Sequence, residues 1–285
     1  VNPSPTSFYV VGAGRVGLGL GLALRTAGWH LAGFWNRGAS GRERGRHVLG
    51  LAADPTLDAA AVARASVVLV CVSDSAVTEI GGRLAAGGGL KPGTLVAHTS
   101  GCLAASALGE LRTGVRGSLH PIIACVDAQQ AARDLVGAAF AIEGEAAALP
   151  RLAALVQVLG GRSIALDGAA KPLYHAALVM ASNLLVSLLE QARREAARAG
   201  FDDFDALSAL AQGALELVRT HGPQEALTGP IVRGDIVTVT QHLDALCADA
   251  RSVYRDLSAV ALDLAAAREL APPTVAALRA LLAKS

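Results

Sequence analysis

Three glycines constrain the fold of this chain more than anything else in it. Gly12-Ala13-Gly14-Arg15-Val16-Gly17 stands between an apolar run, Phe8–Val11, and an Ala/Leu-rich helical segment, Val16–Ala27. In that strand-turn-helix setting, the G-x-G-x-x-G spacing has a mechanical reading. The first glycine permits a tight turn, the second lets backbone approach a pyrophosphate, and the third allows helix and strand to pack closely. The pyrophosphate then sits at a helix N-terminus, where free N–H groups and the helix dipole favour negative charge. The bland alternative is a turn that merely joins strand to helix in a chain with 31 glycines. The flanking strand and helix argue for a dinucleotide site.

The chain beyond the glycines keeps to that pattern. Short apolar runs alternate with amphipathic segments up to about Asp167, which predicts a parallel sheet with crossover helices. The expected strands are Phe8–Val11, His30–Trp35, Val67–Val72, Thr94–Ala97, Gly117–His120, Ala139–Ile142 and Ser163–Leu166, with helical patterns such as Leu57–Ala65, Leu103–Leu111 and Leu149–Leu159 between them. A core of small and branched aliphatics, with few aromatics, suits helices on such a sheet. Beyond Asp167 strand signals fade, and long periodic apolar segments run through Pro172–Ala199, Phe204–Arg219, Ile236–Cys247 and Ala250–Glu269. The expected fold class is therefore α/β: a Rossmann-type, doubly wound, mostly parallel sheet over residues 1–168, followed by an all-α C-terminal domain over 169–285.

The second strand bears on the choice of cofactor. It ends Trp35-Asn36-Arg37, at the distance past the glycines, about 20 residues, where an Asp or Glu holds the ribose of NAD. With no carboxylate there, Asn36 can bond the ribose and Arg37, with Arg42 or Arg44, can pair with a 2′-phosphate. This favours NADP over NAD; the alternative is a solvated basic loop. Ser73 and Asp74 follow the strand ending at Val72, and Ser100 follows the next, so all three stand at strand carboxyl ends, where ligands bind. Each can equally cap the next helix.

Charge and composition exclude other classes. The formal charge is +1, too balanced for a polyanion-capturing field, so nucleic acid is not an expected partner. The four cysteines lie far apart without metal or redox spacing and are expected to be reduced and mostly buried. Ala176–Leu189 is too short to span a membrane and carries Ser182, Asn183 and Ser187, so it reads as a buried helix. Val1–Ser7 is polar and proline-containing rather than signal-like. No membrane association and a cytoplasmic location are the expectations.

Taken together, Gly12–Gly17, His98-Thr99-Ser100-Gly101, Ser118-Leu119-His120-Pro121, Tyr174-His175-Ala176-Ala177 with Ser182-Asn183, and Thr228-Gly229-Pro230 with Arg233-Gly234-Asp235 resemble a group of bacterial proteins assigned as NADP oxidoreductases. These join a Rossmann-like N-terminal domain to a helical C-terminal domain of unknown function, and the resemblance covers almost the whole chain. The group is similar, at a distance, to the 6-phosphogluconate, 3-hydroxyacid, pyrroline-5-carboxylate and ketopantoate enzymes. The resemblance implies hydride transfer between a nicotinamide and a small carbonyl or imine compound in a cleft between domains, and a homodimer paired through helical domains. In the hydroxyacid and ketopantoate branches a lysine opening the helical domain and a later asparagine polarise the substrate carbonyl. Lys171 and Asn183 are the matches, although Pro172 places Lys171 at a helix cap.

Reduction of a carbonyl also needs a proton donor. Lys171 or His175 is expected to supply it, with Asn183 as an orienting hydrogen bonder, Ser182 on the same helix face as His175, and His120 as a second polar wall. The bland readings are a paired helix-face histidine for His175, a strand terminator for His120, and an interhelical loop for Thr228–Asp235. In that loop Arg233 can clamp a substrate carboxylate, and Asp235 can cap the next helix or orient His242. The resulting expectation is an NADP-dependent reductase or dehydrogenase of a small, carboxylate-bearing oxo, hydroxy or imino compound. Its rivals are a sensor that binds a dinucleotide without turnover and an enzyme using a deazaflavin hydride donor.

Overall fold

The computed structural model describes residues 6–53, 56–87, 89–268 and 270–283. Val1–Pro5, in the stretch expected not to be signal-like, and Glu269, the expected end of the last helical segment, lie outside the described residues. The chain divides after Ser182 into two compact units.

The first unit is a seven-stranded sheet of β1 (Ser7–Val11), β2 (His30–Trp35), β3 (Val67–Val70), β4 (Leu95–His98), β5 (Val115–Pro121), β6 (Ala139–Gly144) and β7 (Arg162–Ala165). Their order across the sheet is β2-β1-β3-β4-β5-β6-β7, and only β5 and β6 pair antiparallel. The connecting helices are α1 (Arg15–Thr26), α2 (Ala39–Leu49), α3 (Ala59–Arg64), α4 (Val77–Ala86), α5 (Ala128–Asp134) and α6 (Leu149–Val158). Alternation along β1 sorts them onto two faces. Phe8 and Val10 join a core with Leu20 of α1 and Leu152 of α6. Tyr9 and Val11 join another with Val62 of α3 and Ile80 of α4. The sheet is thus covered on both sides, as the doubly wound expectation requires.

Two local features depart from the expectations. The helix expected over Leu103–Leu111 is only a 3₁₀ turn, Ala105–Leu108. Glu143 Oε2 accepts the Ala105 N–H at 2.6 Å at its start, and Gly109, at φ +70°, turns the chain away at its end. The strand expected to reach Val72 ends at Val70, after which a 3₁₀ turn at Asp74–Ala76 leads into α4.

The last helix of the first unit is α7 (Lys171–Ala181). The second unit holds α8 (Asn183–Arg198), α9 (Phe204–Ala226), α10 (Ile236–Ala245), α11 (Ala248–Ala266) and α12 (Pro272–Leu282). Its core is made by α10, α11 and α12 around Val239, Leu243, Leu262 and Leu278. Gly222, at φ +79°, and Pro223 kink α9 near its end.

The segment Ala176–Leu189, expected to be one buried helix, is neither continuous nor buried. Ser182 has φ −125° and ψ −74°, which divides it, and none of these residues is buried within the chain. Asn183 is accordingly exposed. By length and composition alone, the run Gly168–Arg198 is long and apolar enough to cross a membrane. The break leaves helices of 11 and 16 residues, both short of the roughly 20 that a span needs.

Candidate active site

The order β2-β1-β3 makes a topological switch point between β1 and β3, because the connections from their carboxyl ends leave in opposite directions. Gly12 follows β1 there at φ +105°, and a Cβ would lie 2.1 Å from the Cys71 carbonyl oxygen. Gly17 is equally constrained, since its Cβ would meet the Gly12 carbonyl at 2.2 Å. Gly14 has nothing within 4 Å of its Cβ position. It is the N-cap of α1 and offers no side chain to the first helical N–H groups, which are left for an anion. Gly12 and Gly17 thus take the turn and close-packing roles expected of them, while Gly14 leaves open space at the start of α1.

From this helix start a cleft of about 850 Å³ runs past Ser73 and Asp74 to Ser100, Gly101, His120 and His175. All its lining residues belong to the first unit. An adjoining cavity of about 410 Å³ is lined by Gly12, Gly14, Asn36, Arg37, Arg44 and Glu79, among others. Together they form a trough of mixed polar and apolar lining along the strand ends.

The basic residues beside the smaller cavity have separate tasks. Asn36 Oδ1 accepts the Ala13 N–H at 3.0 Å, and its Nδ2 donates to the Gly38 carbonyl at 3.1 Å, which ties the glycine turn to the end of β2. Arg42 Nη1 donates to the carbonyls of Asn36 and Arg37 at 3.1 and 2.6 Å, so it holds backbone. Arg37 is well exposed, with its guanidinium 3.7 Å from Glu79. Arg44 lines both cavities and its Nε donates to the Ala13 carbonyl at 3.2 Å. Arg37 and Arg44 are therefore the arginines of this group that face the cavities.

Ser100 does two jobs. Its Oγ accepts the N–H groups of Cys102 and Leu103 at 3.2 and 3.0 Å, capping the following turn, while the residue also lines the cleft. Gly101 has no side chain for a specific reason, since its Cβ would lie 2.4 Å from His175 Cδ2 and 2.8 Å from His120 Nε2. The rings of His120 and His175 meet edge to face at 5.8 Å between centroids. His120 Nδ1 is 2.8 Å from the Tyr174 hydroxyl. Burial, then the nearby Lys171 ammonium, lowers the His120 pKa to about 4.

Lys171 does not reach the cleft wall. It is 1% exposed, and Nζ donates to the Ser100 carbonyl at 3.0 Å and to Ser118 Oγ at 2.7 Å, behind the loop that carries Gly101. Burial lowers its pKa, against the pull of Glu143. Beneath the same loop His98 Nε2 donates to the Ala104 carbonyl at 3.0 Å and Nδ1 accepts the Ser100 N–H at 3.2 Å. That arrangement requires a neutral ring, and burial lowers its pKa to about 4.

The remaining expected residues are accounted for locally. Ser182 Oγ donates to the Leu178 carbonyl at 2.7 Å at the end of α7. Asn183 is the first residue of α8, and Arg233 is exposed in the turn before α10, both in the second unit. Asp235 takes the capping role, since it accepts the Thr238 N–H at 3.0 Å, while His242 bonds the Tyr254 hydroxyl at 2.9 Å. The cysteines are free, but only Cys71 is fully buried, short of the expectation that most would be. Burial raises its thiol pKa to about 12.

Sequence alone assigns no role in the site to Tyr174, Gly101 or Ser118. Tyr174 lies one position from His175, about 100° around the helix, so periodicity gives no reason to place it at His120.

A Rossmann-like domain model matches residues 1–121, and the domain of unknown function DUF2520 matches residues 138–261. The chain is a Rossmann-like protein with a DUF2520 domain. Its fold is similar to that of BF3122 from Bacteroides fragilis, a candidate NADP oxidoreductase, at 23% identity and a TM-score of 0.73, over 91% of this chain and 98% of that one. Protein TM1727 from Thermotoga maritima is similar at 20% identity and a TM-score of 0.71, over 92% and 100%. An imine reductase from Myxococcus stipitatus, in complex with NADP+, is similar at 20% identity and a TM-score of 0.57, over 92% and 93%. No curated protein matches the chain.

Proposed function

We propose that this Rossmann-like/DUF2520 chain is an NADP-dependent oxidoreductase acting on a small carboxylate-bearing oxo, hydroxy or imino compound. One observation carries the reading: a single cleft begins at the uncapped N-terminus of α1 and ends at His120 and His175. A dinucleotide along the strand ends has its pyrophosphate at Gly14 and its adenosine phosphate beside Arg37 and Arg44. Bound there, a reduced nicotinamide supplies the hydride. The chain's own residues orient the acceptor and provide the proton. His120 and His175 stand at the cleft wall for this task, and Lys171 holds the Ser100–Gly101 loop from behind. The fold likeness to the imine reductase from Myxococcus stipitatus supports the reading.

A homodimer belongs to the same proposal. Helices α8 and α9 have no buried residue, and leave Leu184, Val186, Leu210 and Leu215 exposed. Large exposed apolar faces mark interaction surfaces, and a second copy of the chain would cover this one.

Thermal unfolding with NADPH, NADH or neither tests the cofactor, since ligand at 100 times its Kd stabilises by about 2.7 kcal/mol. NADPH oxidation against a panel of small oxo and imino acids then tests turnover. A shift with NADPH and no turnover with any panel member would favour a dinucleotide-binding sensor. Absence of a shift with either nucleotide, confirmed by direct titration, would overturn the reading.

A further inference from the structure

The His120–Tyr174 pair contains more than two polar side chains in contact. The distance of 2.8 Å between His120 Nδ1 and the Tyr174 hydroxyl admits two arrangements, in which either atom donates. A phenol is a much stronger acid than a neutral imidazole, and its oxygen shares lone-pair density with the ring. The bond is therefore stronger with Tyr174 donating and Nδ1 accepting. That choice leaves the ring's own proton on Nε2.

Nε2 is the atom turned toward Gly101, 2.8 Å from where a Cβ would stand, and both residues line the cleft. We propose that Tyr174 is a positioning residue that fixes His120 as the Nε2–H tautomer, so that a neutral imidazole presents a hydrogen-bond donor to the substrate in the cleft. The inference rests on the functional reading above and names the group that delivers the proton within it.

The surroundings support a neutral ring. The charged and titratable groups around it are the Lys171 ammonium, His98, His175 and Asp74. His98 is itself held neutral by its two backbone bonds, and Lys171 is anchored on Ser100 and Ser118. Burial and the Lys171 charge both oppose an imidazolium. Tyr174 stays protonated, its pKa raised to about 12 by burial.

The proton inventory closes. As the carbonyl carbon gains a hydride, the carbon–oxygen π pair moves to oxygen, and that oxygen takes the Nε2 proton. Nδ1 takes the phenolic proton of Tyr174 in the same motion, so the imidazole stays neutral, and the phenolate recovers a proton from water. Without the phenol, loss of the Nε2 proton would leave an imidazolate.

The test needs neither substrate nor cofactor. In protein labelled with ¹⁵N-histidine at pH 7, long-range ¹H–¹⁵N spectra read the tautomer of each ring, and His120→Asn assigns the His120 signals by their loss. The expected result is a neutral His120 with the proton on Nε2, shifting to a mixture with a substantial Nδ1–H share in Tyr174→Phe, which keeps the ring but loses the hydroxyl. A predominant Nδ1–H tautomer or an imidazolium in the unsubstituted protein would overturn the proposal, as would an unchanged tautomer in Tyr174→Phe. The first measurement decides alone if that variant does not fold. Because cofactor is absent, a failure here is distinct from a failure of NADPH to bind.

Discussion

Arg37 stands 3.7 Å from Glu79, across the smaller of the two cavities at the strand ends. A carboxylate beside the cation that is to hold a 2′-phosphate weakens that phosphate's binding by repulsion. Glu79→Gln should therefore tighten NADPH by a few-fold and leave NADH nearly unchanged in calorimetric titration. Equal effects on both nucleotides would remove Glu79 from cofactor selection.

The three arginines separate by the same measurement. Arg37→Ala and Arg44→Ala each remove a charge-assisted contact worth about 1.5–3 kcal/mol, so NADPH affinity should fall roughly 10- to 100-fold and NADH much less. Arg42→Ala frees the carbonyls of Asn36 and Arg37 and should weaken both nucleotides together. NADPH-selective loss in Arg42→Ala would reverse the assignment.

Gly12 and Gly14 offer a sharper contrast. Gly12→Ala places a Cβ 2.1 Å from the Cys71 carbonyl oxygen in a left-handed backbone conformation, whereas Gly14→Ala meets nothing within 4 Å. Gly12→Ala should lower the melting temperature markedly. Gly14→Ala should melt like the parent protein yet lose the NADPH-induced shift, because its methyl occupies the pyrophosphate position. Normal NADPH binding by Gly14→Ala would contradict the placement of the cofactor.

The glycine turn is legible in the sequence because each step of its chemistry is local to six residues. Helix α2 is not. Its buried positions are Gly41, Gly45 and Leu49, with Gly41 against Asn36 and Gly45 against Phe34. A helix that buries glycine leaves no apolar stripe to find. The histidine cluster is half legible. Side-chain chemistry singles out His120 and His175, but Tyr174 joins them through tertiary packing that no spacing encodes. The family pattern points to Lys171 as a group that polarises the substrate carbonyl, whereas its bonds to Ser100 and Ser118 turn it inward. The break at Ser182 falls beside Asn183 inside an otherwise apolar segment and has no glycine or proline to announce it.

Acid should destabilise the fold through His98. Its pKa is lowered from 6.5 to about 4 in the folded chain, so between those values the unfolded state binds more protons and stability rises with pH. The contribution is complete above about pH 6.5 and is lost as pH falls toward 4, on the order of 3 kcal/mol at its limit. Urea unfolding across that range should reveal it, and His98→Gln should flatten the slope. An unchanged slope in the variant would assign the acid sensitivity elsewhere.

Gly101→Ala probes the histidine wall without replacing a titratable residue. Its methyl must displace His175 or His120, so turnover of NADPH with any active panel member should fall at least 10-fold. Cofactor affinity should stay within a factor of two or three. Parallel loss of both would mean that the 99–101 loop supports the dinucleotide itself.

The switch point has a consequence for how accurately this chain can aim a reaction. Val11 and Val70, the last residues of β1 and β3, stand opposite each other in one parallel ladder, and the two loops that flank the cleft spring from that pair. Their separation is therefore set by the hydrogen-bonded spacing of neighbouring strands, which side-chain exchanges scarcely alter. On the proposed reading, loop substitutions should change how tightly a nucleotide is held, while the direction in which it points is inherited from the sheet.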